Sequence, residues 1–531
     1  MNYTVDWFAK WAVFSPQKTA VKEALTGRSM TYAELHVASE KAAGWLQAKG
    51  LRQGDRVVVL AEFCLELVVL FGAAQKTGCI LVQAKGLRQG DRVVVLAEFC
   101  LELVVLFGAA QKTGCILVPL NYRLSPREID YLLGDADPAL VLAASKFQDL
   151  LRDAPQAAGL QQYELARLFE VSADAVLTQQ PNITGNDPVF ILYTSGTTGF
   201  PKGALYTHQM LLWNSLNTAL RLNITSSDRT LMVMPSFHTG GWNVLTTPFL
   251  HFGATVVLLP KFEAEEVLDL LEEESINLFM GVPTMIKMMS EVPRFDAVDL
   301  TALRYFIVGG EALPIPVIER WSEKGVPIRQ GYGLTEVGPN VTSLPETDAI
   351  CKIGSIGFPN FYLETKLVDE QGATVEGAGR GEFWLKGPVV TPGYWRHPEA
   401  TAKSITDGWF HTGDVLQRDA EGYLYVVDRI KNMFISGGEN VYPAEIEHFL
   451  RKHPAIAEVA VLGVPDERWG EVGKAFVVLQ MNATGTAEGI KAYCLGGLAK
   501  FKVPKHIVFV TEIPKNDTGK VDRKKLGEIG G

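Results

Sequence analysis

Cysteine is scarce in this chain and has no pattern. Its six cysteines, Cys64, Cys79, Cys100, Cys115, Cys351 and Cys494, form no C-x-x-C pair. A thiolate zinc site or a redox couple therefore has no footing, and all six read as small apolar core residues. A basic excess is also missing. Fifty Lys and Arg against 60 Asp and Glu leave a formal net charge of −10, which disfavours a nucleic-acid partner. No apolar run reaches the ~18 residues of a membrane span; the most apolar stretch, LELVVLFGAA, is short and carries a glutamate. The N-terminus, MNYTVDWFAKWAVFSPQKT, has no basic start followed by an apolar run, so no signal peptide is expected. A cytoplasmic protein is the expectation. A Walker A loop is absent too. In YTSGTTGFPKG (Tyr193–Gly203), the sixth place counted from Gly196 is Pro201, and Lys202 precedes Gly203 rather than Ser or Thr. That excludes the P-loop ATPase pattern, although the glycine, hydroxyl and lysine content still suits a triphosphate.

Several features are present in abundance. With 531 residues, 47 % of them hydrophobic, the chain exceeds one core and calls for two or more domains. Residues 47–82 read QAKGLRQGDRVVVLAEFCLELVVLFGAAQKTGCILV, and residues 83–118 repeat them letter for letter. Solenoid repeats diverge and come in three or more copies; two identical copies indicate a recent tandem duplication or a gene-model error. Each copy reads strand, helix, strand, and a right-handed parallel sheet has one slot for such a unit.

From about Val189, apolar β-branched runs (VFILYTS, TLMVMP, ATVVLLP, NLFMGVP, LRYFIVGG) alternate with helical stretches (HQMLLWNSLNTAL, EAEEVLDLLEEES, PTMIKMMSEV). This predicts an α/β architecture with stacked, mostly parallel sheets. After Cys351 the texture becomes Gly-rich and alternating, predicting a small β-barrel-like part. Beyond Asp428–Asn432, about 100 residues read as a small α+β domain. The segment from Lys500 holds Lys500, Lys502, Lys505, Lys515, Lys520, Arg523, Lys524 and Lys525 against Glu512, Asp517, Asp522 and Glu528. It reads as a face for a phosphate-bearing ligand or as a solvated surface.

Five motifs occur in a fixed order: YTSGTTGFPKG, QGYGLTE (Gln330–Glu336), GWFHTGD (Gly408–Asp414), DRIKNMFISGGENVYPAEIE (Asp428–Glu447) and PKNDTGK (Pro514–Lys520). Together they resemble the adenylate-forming superfamily of acyl-CoA synthetases, adenylation domains and luciferases, and within it an AMP-forming acyl-CoA synthetase. The resemblance implies an N-terminal adenylation domain over 1–427, a hinge at 428–431 and a mobile C-terminal domain over 432–531. It also implies ATP, Mg²⁺ and coenzyme A as ligands and a carboxylic acid as substrate; a homodimer is left open.

Residue by residue, Thr194, Ser195, Gly196, Thr197, Thr198 and Gly199 would wrap the β- and γ-phosphates, with Lys202 adding charge. Glycines in such a loop permit close backbone approach. In the second motif (Gln330, Gly331, Tyr332, Gly333), the glycines let the backbone lie flat against a base, with Tyr332 as a stacking surface. By resemblance, Thr335 contacts the α-phosphate, Glu336 with Thr194 holds Mg²⁺, and Gly310, Glu311 and Ala312 flank adenine. Asp414 suits two ribose hydroxyls, and Arg429 ribose or phosphate. Lys520 is the expected catalytic ammonium, steadying charge on the α-phosphate. Lys431 matches the hinge, and Ser436, Gly437, Gly438 and Glu439 the coenzyme A tunnel.

For the acid, PSFHTGGWN (Pro235–Asn243) is the expected lining. His238 stands where amino-acid-activating relatives carry an aspartate, which disfavours an amino acid. Trp242 is read as a gate, Asn243 as lining, and Gly240, Gly241, Gly309 and Gly331 as room for a bulky acyl group. The expectation is a medium- or long-chain fatty acid. The alternatives are a hydroxycinnamate- or succinylbenzoate-like aryl acid, a stand-alone enzyme loading a separate carrier protein, or an inactive nucleotide-binding scaffold.

Overall fold

The computed structural model describes residues 7–38, 92–96, 116–164, 184–194, 201–309, 313–436, 439–481, 483–498, 500–515 and 521–529. The chain divides into two compact units. Unit 1 comprises Met1–Ile353, Pro359–Glu364 and Leu385–Phe410; unit 2 comprises Gly354–Phe358, Thr365–Trp384 and His411–Gly531.

Unit 1 stacks two sheets, as the alternation predicts. The larger runs in the order Thr342–Ser343, Ile328–Tyr332, Tyr305–Val308, Leu278–Gly281, Arg229–Met232, Thr255–Leu258, Thr19–Glu23, Ser29–Thr31. Its central pairs are parallel. Strands Thr255–Leu258, Leu278–Gly281 and Tyr305–Val308 are buried at every position, as parallel strands covered on both faces must be. That double burial is why they read as unbroken apolar runs rather than alternations. Successive side chains still go to opposite sides. Met232, Val256, Leu278, Met280 and Ile307 enter one core, whereas Leu231, Val257, Phe279, Phe306 and Val308 enter the other. The first core is shared with the second sheet through Leu117, Val141 and Phe190.

That second sheet runs Gln161–Glu164, Pro138–Ala143, Arg92–Leu96, Ile116–Leu120, Pro188–Thr194, Lys202–Thr207. Its strands are parallel except for the final pair. Helix Pro126–Ala136 follows from a complete capping box, Ser125 with Glu128, and proline in its first turn. Helix His208–Leu222 starts on Thr207, whose hydroxyl accepts from Met210 N, and stops at the left-handed Asn223.

The repeat resolves asymmetrically. The second copy supplies Arg92–Leu96 and most of Ile116–Leu120. Each of these strands is hydrogen-bonded on both edges, to Pro138–Ala143 and to Pro188–Thr194 respectively. The first copy, 47–82, lies wholly outside the described residues, as does the second copy's predicted helix. Both neighbours of each seated strand are taken, so no further strand can pair at those two places. Because the copies are identical, deleting residues 47–82 or 83–118 yields one and the same chain. That shortened protein is expected to keep its activity. Its melting temperature should rise, because a connection shorter by 36 residues lowers the closure cost by about 1 kcal/mol. A sharp loss of activity, or a lower melting temperature in a calorimetric scan, would show that the extra copy has a structural role.

Unit 2 contains an antiparallel sheet built around Trp409–Arg418 and Leu424–Arg429, and a second sheet ordered Glu439–Val441, Phe434–Ser436, Gly470–Leu479, Ile456–Asp466, with His506–Phe509 beside Gly470–Leu479. Helices Pro443–Leu450 and Ala487–Leu495 pack on the latter through Ile446, Leu450, Ile490 and Cys494.

Two sequence expectations need correction. Cys351 is exposed, because it sits in the turns after Asp348, where no strand or helix draws it inward; Cys494 alone among the described cysteines is core, and burial pushes its thiol up to about 11. The basic C-terminal face is largely paired rather than held for phosphate. Lys502 meets Glu445, Lys505 meets Asp466, Lys515 meets Glu458 and Arg523 meets Glu447. Among the described residues no helix is long and apolar enough to cross a membrane.

Candidate active site

In unit 1 the carboxyl ends of the parallel strands Leu278–Gly281, Tyr305–Val308 and Ile328–Tyr332 lie side by side, the customary ligand edge of an open α/β sheet. Gly309 and Gly331 follow or end two of these strands. A Cβ placed on Gly309 would stand 3.6 Å from Gly331 O, and one on Gly331 would stand 3.4 Å from Thr342 O. Among the described residues, chain neighbours apart, only backbone oxygens come within 4 Å of a Cβ at these two positions, so the floor here is backbone.

The strand pair Pro188–Thr194 and Lys202–Thr207 brings Thr194 opposite Lys202. Ser195–Gly199 lie outside the described residues, as do Gly310–Ala312. Gly203 is obligatory for close pairing: its Cβ would fall 2.4 Å from Ile191 Cγ2. After Tyr332 the chain turns at Gly333 into a short 3₁₀ turn, Thr335–Val337, that carries Glu336. Thr194 Oγ1 lies 3.4 Å from Glu336 Oε1, so two residues 142 apart in sequence, both expected at the metal, come together. The Tyr394 hydroxyl donates to the same Oε1 at 3.0 Å. Burial first, and the Glu336 carboxylate second, raise the Tyr394 hydroxyl well above the ordinary tyrosine range, so it stays a neutral donor. Lys202 Nζ is 5.8 Å from the Tyr394 ring centroid. Gln330 is turned inward: it is buried, and its Oε1 accepts from Leu313 N at 3.4 Å. It thereby supports the chain beyond Ala312.

On the acid side, His238 is half-buried, with its ring 4.5 Å from that of Phe237. Trp242 is not a gate. It is fully buried, its indole N–H donates to Ser236 O at 2.7 Å, and it packs against Phe190; the core would have to open for the ring to swing. Asn243 is not free to line a pocket either. Its amide donates to Thr239 Oγ1 and accepts from Thr247 Oγ1, and its carbonyl takes Asn214 Nδ2 at 2.7 Å and Asn340 Nδ2 at 3.0 Å. Asn340 thereby ties the chain just past Gln330–Glu336 to the acid-side segment.

Unit 2 carries its own set. Asp414 lies opposite Arg429 in the antiparallel pair, and the buried carboxylate meets Arg429 Nε at 2.8 Å. Gly413 adopts φ +67, a left-handed turn that suits glycine, and its N–H donates to Glu382 Oε1 at 3.0 Å. Glu382 is itself held by Trp384 Nε1 at 2.8 Å. Asp428, the first residue of the expected hinge, is buried and accepts from Arg429 N within it and from Asn432 Nδ2 and Ala444 N beyond it. The Lys431 side chain, Gly437, Gly438 and Lys520 lie outside the described residues, while Ser436 pairs with Glu439.

Sequence reasoning missed Tyr394, Asn340 and Glu382, and placed Asp428 in the hinge without its hydrogen-bonding role. Tyr394 sits in PGYW, which reads as barrel texture, and Asn340 and Glu382 are isolated polar residues.

Comparison with known proteins adds a second line. The pattern described as AMP-binding enzyme matches residues 8–85 and 81–395, and the pattern for the AMP-binding enzyme C-terminal domain matches 445–520. The first must restart near residue 82, where one repeat copy gives way to the other. An indoleacetate–CoA ligase of Aromatoleum aromaticum is 38 % identical over 99 % of this chain and 97 % of its own length. A feruloyl-CoA synthase of Amycolatopsis is 37 % identical over 97 % and 96 %, and a long-chain-fatty-acid–CoA ligase, FadD13, of Mycobacterium tuberculosis is 34 % identical over 99 % and 98 %. Among solved structures, the o-succinylbenzoate coenzyme A synthetase of Bacillus subtilis, in complex with ATP and magnesium, superposes with TM-score 0.81 at 30 % identity over 98 % of this chain and 99 % of that one.

Proposed function

Since the chain belongs to the AMP-binding enzyme family, we propose that the acid it activates is an aryl acid of the arylacetate, hydroxycinnamate or succinylbenzoate kind. The coarser activity is that of an AMP-forming acid–thiol ligase using ATP, Mg²⁺ and coenzyme A. The adenylation step joins a carboxylate oxygen to the α-phosphorus as the bond to pyrophosphate breaks. In the transfer step the coenzyme A sulfur attacks the acyl carbon and AMP leaves with the bonding electrons.

The donors present suit Mg²⁺, a hard ion that needs few protein oxygens beside phosphate and water: the Glu336 carboxylate and the Thr194 hydroxyl are adjacent. When bound, the ion neutralises triphosphate charge. On this reading Thr194–Gly199 and Lys202 hold the β- and γ-phosphates, Thr335 the α-phosphate, and Asp414, oriented by Arg429 and by the Gly413–Glu382 bond, the ribose. Lys520 serves adenylation, Lys431 the hinge between 1–427 and 432–531, and Ser436–Glu439 coenzyme A.

The observation that supports an aryl acid, in place of the fatty acid expected from the small residues alone, is the bare backbone floor at Gly309 and Gly331. Two adjacent strand ends without Cβ atoms form a flat wall, and a planar ring lays a whole face against flat peptide groups more completely than a flexible alkyl chain does. The relatives that act on indoleacetate and ferulate share 38 % and 37 % identity with this chain, against 34 % for the fatty-acid ligase. The test is a panel of acids scored by pyrophosphate release, with and without coenzyme A. Arylacetates and hydroxycinnamates are expected to exceed octanoate and palmitate at least tenfold in kcat/KM. Preference for an alkyl acid would refute the aryl assignment; ADP as product, or no nucleotide cleavage with any acid, would refute the ligase itself.

A further inference from the structure

The segment Thr391–Trp395 forms a bracket in unit 1. Leu205 N donates to Gly393 O at 3.0 Å and Trp395 N to Gly203 O at 2.8 Å, and Ala204 and Tyr394 form an antiparallel bridge. The segment is thus laid along the strand that leaves the phosphate loop. Thr391 Oγ1 donates to Leu205 O, and Thr391 N to Glu336 O at 2.7 Å. Gly393 has φ +143, and a Cβ there would fall 2.5 Å from Thr401 Cγ2, so only glycine lets the bracket pass. Asp135 holds its far end, accepting Trp395 Nε1 on its carbonyl at 3.2 Å and the Tyr193 hydroxyl on Oδ2 at 2.5 Å.

Two hydroxyls converge on one carboxylate oxygen. Tyr394 donates to Glu336 Oε1 at 3.0 Å, and the Thr194 hydroxyl, shared with Lys202 O at the same 3.4 Å, lies 3.4 Å from that oxygen. Among the described residues no hydrogen bond reaches the second oxygen, Oε2, through which a carboxylate can take a cation. We propose that Tyr394 is a positioning residue that fixes Glu336 for Mg²⁺ and, through the Thr391–Trp395 bracket, couples the metal ligand to the triphosphate loop. The proposal rests on the ligase reading above and assigns that site a coupling element from outside its motifs.

The experiment is calorimetric titration of the full-length protein with ATP, with and without Mg²⁺, for wild type and Tyr394→Phe. The phenyl ring retains the packing and loses only a hydrogen bond to a charged acceptor, a bond of the stronger kind. Metal-free ATP affinity is expected within twofold of wild type, while the tightening conferred by Mg²⁺ falls about tenfold. In pyrophosphate release the half-saturating Mg²⁺ concentration should rise about tenfold, with KM for the acid unchanged. In a Glu336→Gln background the same substitution should have no further effect on Mg²⁺ dependence. An unchanged Mg²⁺ dependence overturns the proposal, as does equal loss of ATP affinity with and without metal, which would mark a purely structural tyrosine. A wild-type chain that releases no pyrophosphate would sink the ligase reading, whereas the titrations would still decide the tyrosine.

Discussion

Lys520→Ala is expected to slow adenylate formation by roughly two to three orders of magnitude, the usual cost of removing one preorganised donor from developing charge. Equilibrium ATP affinity should change less than threefold. The distinction follows from where charge appears. On the proposed reading, the ground-state triphosphate charge would already be met by Lys202 and by Mg²⁺. As the carboxylate oxygen closes on the α-phosphorus and pyrophosphate departs, charge gathers on the α-phosphate and the bridging oxygen, and a lone ammonium there interacts more strongly than before. Rapid-quench measurement of pyrophosphate gives the rate, and nucleotide titration gives the affinity. Acyl transfer from preformed adenylate to coenzyme A should be nearly unaffected, because that step develops charge at the acyl carbon. Equal losses in ATP binding and in rate would mean that Lys520 binds the ground state as tightly as the transition state, and the role given to it would be wrong.

Gly333→Ala is expected to abolish detectable ATP-dependent activity and to lower the melting temperature. A Cβ on Gly333 would stand 1.9 Å from Pro339 O and 2.4 Å from Pro339 C. The obstacle is main chain that cannot step aside. Asn340, the next residue, is bonded to Asn243 O, and Gly338 turns at φ +60, where an added Cβ would stand 3.2 Å from Asn214 Cβ. Relief must come from displacing Thr335–Val337, and with it Glu336. Overpacking against mobile side chains costs about 1–3 kcal/mol; against tethered backbone the cost lies at or above the top of that range. Gly331→Ala is the matched control, since its Cβ would only touch Thr342 O at 3.4 Å. It should fold normally and retain ATP binding, with its loss confined to bulky acids. Should Gly333→Ala bind ATP and turn over like wild type, the tight turn described here does not set the position of Glu336.

Much of this protein was legible before any tertiary information, and for a definable reason. Parallel strands buried on both faces must be apolar at every position, so Leu278–Gly281 and Tyr305–Val308 announce themselves as short unbroken runs. Turns that approach phosphate or backbone need glycine, so the loops carrying Thr194, Glu336 and Asp414 stand out by composition. Local chemistry of this kind leaves a local trace, and it sufficed for the α/β architecture and the motif order.

The remainder depended on which distant residues the fold brings together. Tyr394 reaches Glu336 across 58 positions and Asn340 reaches Asn243 across 97. Asp414 and Arg429 hold each other, and the C-terminal lysines, which read as free charge, are mostly paired with acids. A buried polar group must find a partner, but nothing in its neighbours along the chain says which. Trp242 shows the converse: a tryptophan beside a site looks like a gate until its burial shows it to be core. The repeat divides along the same line. Letters alone establish that two copies are identical; only the sheet shows Arg92–Leu96 and Ile116–Leu120 bonded on both edges, because strand pairing is a long-range contact that neighbours along the chain do not announce.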